Sequence, residues 1–524
     1  MTVVVARIAR SRREPRRARL APFTSQHDCV NIRECGVVLT GASTPSIELA
    51  GAHQLAAKAM AANRDTSERD IATAVSVLRQ RFGERLLTGE AIRRQHANTL
   101  TWIANEPPDA VVFVESTEEV SDVVAVAGKC RAPIIPFGAG TSLEGHINAP
   151  EGGLSLDFSR MNRVLAVNER DLDCVVEAGV SRRQLNAYLR DKGLFFAVDP
   201  GAEEATIGGM SATRASGTNA VRYGTMRDNV LNLTAVMADG SVVTTGQRAR
   251  KSAAGYDLTR LLVGSEGTLG IITQVTVRLF GIPERILSAV CPFATLEGAC
   301  NAVIQSIQLG LGVARLELLD AMQIRAVNIY AKLGLEEKPT LFLEFHGTEA
   351  GARDQVEGFR AIAEAEGALR FEWAESEEER RRLWKARHEA YWAVKTVWPG
   401  RDALATDVCV PISRLAECVV ETQKDIEASG LIAPIVGQLG DGNFHTMPVF
   451  DRSDPKQMAA LEGFLDRLVA RAIAMEGTCT GEHGVGQGKI KYLERELGAG
   501  VAVMRSIKAA LDPLDILNPG KVLP

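Results

Sequence analysis

Four patches rich in Gly, Ser, Thr and Asn lie between Pro136 and Gly270, most of them beside a short apolar run. The first, Pro136-Phe137-Gly138-Ala139-Gly140-Thr141-Ser142-Leu143-Glu144-Gly145, follows the strand-like Ala132-Pro133-Ile134-Ile135. Its glycines let the backbone turn sharply and bring N–H groups against a bound anion, and Thr141 and Ser142 add hydroxyl donors. It is not the dinucleotide fingerprint, because Leu143 stands where the third glycine is required. It is not the nucleoside-triphosphate loop either, because His146 and not lysine follows Gly145. The second patch runs from Ala205 through Thr206, Gly208 and Gly209 to Ser216, Gly217 and Asn219. The third is Tyr223-Gly224-Thr225-Met226-Arg227-Asp228-Asn229, and the fourth Val263-Gly264-Ser265-Glu266-Gly267-Thr268-Leu269-Gly270. One such patch reads as a surface turn. Four together suit the lining of one long polar ligand with phosphate at its middle.

At 524 residues the chain exceeds one core, which favours two or three domains. Hydrophobic content of 46% and charged content of 24% belong to a globular protein. A net charge of −5 gives no reason to expect nucleic acid. The 9 cysteines form no C-x-x-C pair, which points to a reducing compartment without structural disulfides. No apolar run reaches membrane-spanning length, so a transmembrane anchor is not expected, while peripheral membrane contact stays open.

Residues 1–55 read as an Arg-rich extension, with Arg7, Arg10, Arg12, Arg13, Arg16, Arg17 and Arg19 crowding the start. Such a start can be a mitochondrial targeting peptide. Pro15 and the doubled arginines leave little apolar face for an amphipathic helix, which favours an unstructured tail and a cytoplasmic protein over the mitochondrial alternative. Beyond it, apolar spacing predicts a helix over Ile71 to Phe82, a strand at Ala110 to Val114, a capped helix over Thr117 to Lys129 and a strand at Ile134-Ile135. Short strands follow at 154–156, 164–167 and 174–178, then a helix over 181–192 stopped by Gly193. Asp239-Gly240 predicts a hairpin between 230–237 and 242–243, and a long strand runs over 270–279. A domain boundary is placed at Gly281-Ile282-Pro283. Downstream, strands at 340–345 and 433–436 alternate with helices, including one long charged stretch over 375–398.

The glycine-rich patches resemble the flavin-binding domain of the vanillyl-alcohol oxidase family, the p-cresol methylhydroxylase (PCMH) type. They are most similar to its branch acting on D-2-hydroxy acids: cytochrome-type D-lactate dehydrogenases, the flavin-binding component of glycolate oxidase, and D-2-hydroxyglutarate dehydrogenases. The resemblance implies an α+β fold, with a PCMH-type FAD-binding domain over 56–282 and a C-terminal α+β substrate (cap) domain with an antiparallel sheet over 283–524. It implies non-covalent FAD held by Pro136, Gly138, Ala139, Gly140, Thr141, Ser142 and Gly145, and by Pro200, Gly201, Thr206, Gly208, Gly209, Ser216, Gly217, Asn219, Tyr223 and Gly224. Glu266, Gly267, Gly270, Ile271 and Ile272 would lie on its adenosine side. Asn518 and Lys521 resemble the family's C-terminal return to the flavin. His146, the nearest histidine to the first patch, is read as a loop residue.

In the C-terminal half, Gly437-Gln438-Leu439-Gly440-Asp441-Gly442-Asn443-Phe444-His445 and Gly481-Glu482-His483-Gly484-Val485-Gly486 are glycine-flanked. Glu482 and His483 are adjacent, so an extended backbone would point them to opposite sides. The branch implies a divalent cation on His445, Glu482 and a third residue, histidine in relatives and Gln438 here. Glutamine is a neutral oxygen ligand, which leaves three readings open: a metal kept but shifted from zinc toward manganese or magnesium, a weakly bound metal, or a lost one. His483 suits a general base, since oxidising an alcohol needs the O–H proton removed as hydride leaves carbon. Arg387 matches the family's arginine for the substrate carboxylate, and its planar fork suits that role. The lysine that relatives place before Thr406-Asp407-Val408 is absent, with Arg401-Asp402 in that region.

These residues lead to an FAD-dependent dehydrogenase that oxidises a D-2-hydroxy acid, D-lactate first, by hydride transfer to flavin N5. Electrons would pass to cytochrome c, a quinone or an electron-transfer flavoprotein. The alternatives are a glycolate or D-2-hydroxyglutarate dehydrogenase, or a flavin-binding subunit of a multi-subunit glycolate oxidase. A homodimer stays open.

Overall fold

Ser116 stops one strand and starts the next helix: its side chain accepts a hydrogen bond from Glu119 N, 3.3 Å away, and caps Thr117–Cys130. That helix crosses between the parallel strands Ala110–Phe113 and Ile134–Phe137, which both pair with Leu154–Asp157. Leu86–Leu87 closes the outer edge antiparallel, and the helix Ile71–Phe82 packs on the crossover helix. The computed structural model describes residues 69–97, 101–374 and 376–524. The Arg-rich extension over 1–55 lies outside the described residues.

A second sheet has five antiparallel strands in the order Val164–Asn168, Asp173–Glu177, Ile271–Arg278, Val230–Val236, Val242–Thr244. The predicted hairpin at Asp239-Gly240 is present, with Gly240 at φ 84° and its N–H bonded to Met237 O at 2.9 Å. The first glycine-rich loop leaves the end of Ile134–Phe137, and the fourth leads into Ile271–Arg278.

The third sheet carries the rest of the chain. Its seven antiparallel strands run in the order Glu372–Ala374, Arg285–Pro292, Thr340–Gly347, Val313–Leu319, Ile435–Gln438, Asn443–Thr446, Val408–Cys409. Leu341, Leu343 and Phe345 point into one core, shared with the helices Leu296–Gln308, Glu349–Ala365, Leu415–Ser429 and Pro455–Ala474. Their neighbour Phe342 points into the opposite core, under Ala321–Ala331, Glu377–His388 and Ala390–Val397. Helices on both faces explain why this strand reads as an almost unbroken apolar run and not as an alternation. The long helix expected over 375–398 is two helices. Glu389, at φ −88° and ψ 13°, ends one and begins the other, which turns His388 and Tyr391 toward the first half of the chain.

The strand Thr340–Gly347 carries a buried carboxylate. Glu344 is buried against His346 Nε2 at 2.7 Å and Arg315 at 3.7 Å. Burial alone would raise its pKa, but Arg315 and His346 outweigh burial and hold it at about 2. A folded-state value depressed from 4.5 gives stability that is present above that value and is lost as pH falls toward 2. The melting temperature is therefore expected to drop between about pH 5 and pH 2, and Glu344→Gln to flatten that limb, measured by calorimetry across the range. Phe345→Ala, at a fully buried position, is expected to lose about 3–5 kcal/mol in denaturant titration.

Candidate active site

A cavity of about 600 Å³ lies where the glycine-rich loops meet the seven-stranded half. Pro136, Gly138, Ala139, Gly140, Thr141 and Ser142 line it from the first loop, and Pro200, Gly201, Thr206, Gly208, Gly209 and Ser216 from the second group. Glu266, Gly267, Gly270, Ile272 and Asn518 complete that side. Small residues are obligatory where two segments touch. A Cβ on Gly138 would stand 2.3 Å from Thr206 Oγ1, and one on Gly208 2.5 Å from Ala178 Cβ. Ser142 Oγ is buried with no protein partner, as a donor kept for a ligand would be.

Six residues expected on the cofactor stand behind this wall. Gly145 packs toward Gln487, and Gly217 against Asp199. Asn219 takes its bonds from the protein: its N–H reaches Asp199 Oδ1 at 2.8 Å and Arg315 Nε donates to its Oδ1 at 3.0 Å. Tyr223 Oη pairs with His346 Nδ1 at 2.7 Å, and Gly224 closes a short helix at φ 76°. Ile271 belongs to the core beneath Ile134–Phe137.

From the other half, His388, Tyr391, Trp392, Ala405, Glu482 and His483 face the same cavity. Glu482 and His483 do not diverge as an extended chain would make them. Their segment is bent, with Gly484 at φ 84° and Gly486 at φ 48°, and both side chains line the cavity. His445, on Asn443–Thr446, sits beside them because its strand pairs with the one ending at Gln438. His445 Nε2 is 3.3 Å from Glu482 Oε1, to which Gln438 Nε2 also donates at 3.0 Å. His445 Nδ1 bonds Thr406 O at 2.7 Å, which leaves Nε2 as the ring atom for the cluster. The His445 and His483 rings stack at 5.2 Å and 7°. Ligand atoms of His445, Glu482 and His483 all lie within 4.8 Å of one another.

Backbone N–H bonds anchor the Glu-His segment. Glu482 N and His483 N donate to Asp407 Oδ2 at 3.0 and 2.9 Å, and Gly484 N to Thr480 Oγ1 at 3.0 Å. Val485 N and Gly486 N donate to the two Glu266 oxygens at 2.6 and 2.8 Å. Gln487 N and Gly488 N donate to Glu144 O at 2.7 and 3.2 Å. Burial opposes the charge on Asp407, but Lys489, His483 and His445 together hold its carboxyl well below the usual range. Burial likewise opposes Glu266, and His146, with Nε2 at 3.2 Å, lowers it on balance with the two N–H groups. His146, read from sequence as a loop residue, therefore lines the cavity as the partner of Glu266.

Arg387 does not line the cavity. It is buried and ion-paired with Glu317 on Val313–Leu319. Burial raises the Glu317 pKa to about 7, with Arg387 acting against that rise. The next residue, His388, does reach the cavity, its Nδ1 bonded to Trp384 O at 2.6 Å. His388, Tyr391 and Trp392 were not among the expected site residues, although they follow Arg387 within five positions. Lone aromatics on a helix are more often core than lining.

Comparison with known proteins places these features in a family. The model described as "FAD binding domain" matches residues 108–246, and "FAD linked oxidases, C-terminal domain" matches residues 282–522. A probable mitochondrial D-lactate dehydrogenase of Danio rerio is 50% identical over 84% of this chain and 89% of its own length. A mitochondrial cytochrome-type D-lactate dehydrogenase of Arabidopsis thaliana is 50% identical over 80% of this chain and 74% of its own. The glycolate oxidase subunit GlcD of Bacillus subtilis is 37% identical, covering 79% and 89%. Among solved structures, p-cresol methylhydroxylase with substrate bound shares the fold at a TM-score of 0.73 and 15% identity, covering 87% of this chain and 98% of that one. The 4-ethylphenol oxidase of Gulosibacter chungangensis does so at 0.72 and 20%, covering 88% and 99%. At 50% identity to such relatives over 80–84% of its length, the chain belongs to the family of FAD-linked oxidases that contains these D-lactate dehydrogenases.

Proposed function

We propose that the chain is an FAD-dependent dehydrogenase that oxidises a D-2-hydroxy acid, D-lactate foremost, to the 2-oxo acid. One observation carries this reading. A cavity walled by glycine-rich loops meets, at its other side, a histidine and a carboxylate held rigidly by their own backbone N–H bonds. The FAD-binding domain spans the loops up to about residue 282, and the substrate domain the remainder.

Bound FAD supplies the hydride acceptor. Gly138, Gly140 and Gly208 let the loops close on Thr206, Phe137 and Ala178, and the loop backbone with the unpartnered Ser142 hydroxyl would hold its diphosphate. His483 takes the substrate hydroxyl proton. Its Nδ1 is buried, 3.8 Å from Glu144 Oε1, so Nε2 is the atom that faces the reacting group. Arg387, held on Glu317 behind the cavity-lining His388, steadies that helix and does not touch the substrate carboxylate. Tyr391 and Trp392 wall the acyl end.

A divalent cation also fits. Gln438 Oε1 and Glu482 Oε2 are buried acceptors with no protein partner, and His445 has a ring nitrogen beside them. Gln438, His445 and Glu482 would hold the ion, whose Lewis acidity would lower the hydroxyl pKa. The mixed N,O donor set favours manganese or zinc.

The acceptor is cytochrome c, a quinone or an electron-transfer flavoprotein; three D-lactate dehydrogenase relatives bear "cytochrome" in their names, which favours the first. Among the described residues no helix is long and apolar enough to cross a membrane. Relatives named mitochondrial favour the mitochondrial alternative over the cytoplasmic one, and a reporter fused to residues 1–55 separates the two.

Anaerobic D-lactate is expected to bleach the flavin absorbance and L-lactate to leave it unchanged. Failure to bleach with any 2-hydroxy acid sinks the reading. His483→Ala should keep the flavin and lose about 10²–10⁴-fold in kcat, followed by single-turnover flavin reduction. Dialysis against a chelator should release a stoichiometric metal, measured by elemental analysis, with activity restored by manganese or zinc. A protein that is metal-free as purified and indifferent to chelation removes the cation from the mechanism.

A further inference from the structure

Lys489 lies just beyond the Glu-His segment and does not line the cavity, yet its ammonium is buried. It donates to Asp407 O at 3.0 Å, and stands 3.5 Å from Asp407 Oδ2 and 3.4 Å from Glu144 Oε1. A cation withdrawn from water is costly unless paired, and packing alone would be served by an apolar side chain. The two carboxylates it joins come from different parts of the fold. Glu144 belongs to the first glycine-rich loop, and Asp407 directly precedes the strand Val408–Cys409. Both residues also grip the segment between them, Asp407 through its carboxylate and Glu144 through its main-chain carbonyl. Asp407 Oδ2 accepts the N–H groups of Glu482 and His483, and Glu144 O those of Gln487 and Gly488. Glu144 Oε1 is in addition 3.8 Å from His483 Nδ1. A neutral residue at 489 would leave two buried carboxylates without their shared cation, on both sides of the proton acceptor.

We propose that Lys489 is a positioning residue: by clamping Asp407 to Glu144 it fixes the place of His483 relative to the bound flavin. It touches no reacting atom and acts through those two carboxylates. The proposal rests on His483 as the proton acceptor, and a misplacement of about 1 Å in such a group costs on the order of 100-fold in rate.

The test is Lys489→Met, which replaces the ammonium-bearing chain with an unbranched, uncharged one of similar volume. The variant is expected to retain its flavin and a KM for D-lactate within about threefold of the parent, while kcat and anaerobic flavin reduction fall about 30–100-fold. Lys489→Arg should recover part of the loss. Hydrogen exchange of the peptide spanning 480–489, followed by mass spectrometry, should be faster in Lys489→Met, and that readout needs no substrate. Unchanged exchange, a kcat within threefold of the parent, or a rise in KM alone overturns the proposal. If Lys489→Met yields no folded protein, Glu144→Gln retains the Lys489–Asp407 pair and reads the same quantities: faster exchange and lower kcat at constant KM support the clamp, and parent-like values overturn it. A parent that bleaches with no 2-hydroxy acid removes the assigned role of His483 instead, whatever the exchange shows.

Discussion

Backbone N–H groups from Glu482 to Gly488 have almost no freedom, because each is bound by a fixed acceptor. Asp407 takes two, Thr480 one, Glu266 two and the Glu144 carbonyl two. A segment with three glycines in this stretch would otherwise be among the softest in the chain. The acceptors come from three separate parts of the fold, so the segment is rigid only when the whole is assembled. Buried polar groups left without partners are expensive, which makes the arrangement cooperative: losing one acceptor exposes the others to the same penalty.

The same stretch explains how Glu482 and His483 can share a cavity. Left-handed φ values at Gly484 and Gly486 bend the backbone, and a Cβ on Gly484 would stand 2.6 Å from Glu266 Oε1 and 2.7 Å from His146 Nε2. Glycine is required there by contact and by conformation at once. His146 and Glu266 form the far side of that contact, and so a histidine with no evident role in the sequence becomes part of the wall.

The seven-stranded sheet supplies the stiffness behind these contacts. Covered on both faces, it places Gln438 and His445 on neighbouring strands and Glu317 one strand further on. Edge-to-centre position matters here. Val408–Cys409 is the edge strand, and the residue before it, Asp407, lies where it can reach the Glu-His segment outside the sheet.

Residue type marked out part of the cavity wall, and the family resemblance gave those residues their expected roles. Pro136 to Ser142, Thr206 to Gly209, Glu266 to Gly270 and the Glu482-His483 pair announce themselves by glycine and hydroxyl content, because a diphosphate demands close backbone approach whatever the surrounding fold. Periodicity likewise placed the helix Ile71–Phe82 and the hairpin at Asp239-Gly240, since both depend on local spacing and turn chemistry. Tertiary structure decided the rest. It put Asn219, Tyr223 and Gly224 behind the wall, turned Arg387 onto Glu317, broke the helix at Glu389 so that His388 and Tyr391 reach the cavity, and joined Glu144 to Asp407 through Lys489. Those outcomes depend on which carboxylate meets which cation once strands far apart in the chain are packed. A pairing energy between distant side chains leaves no local pattern for the sequence to display.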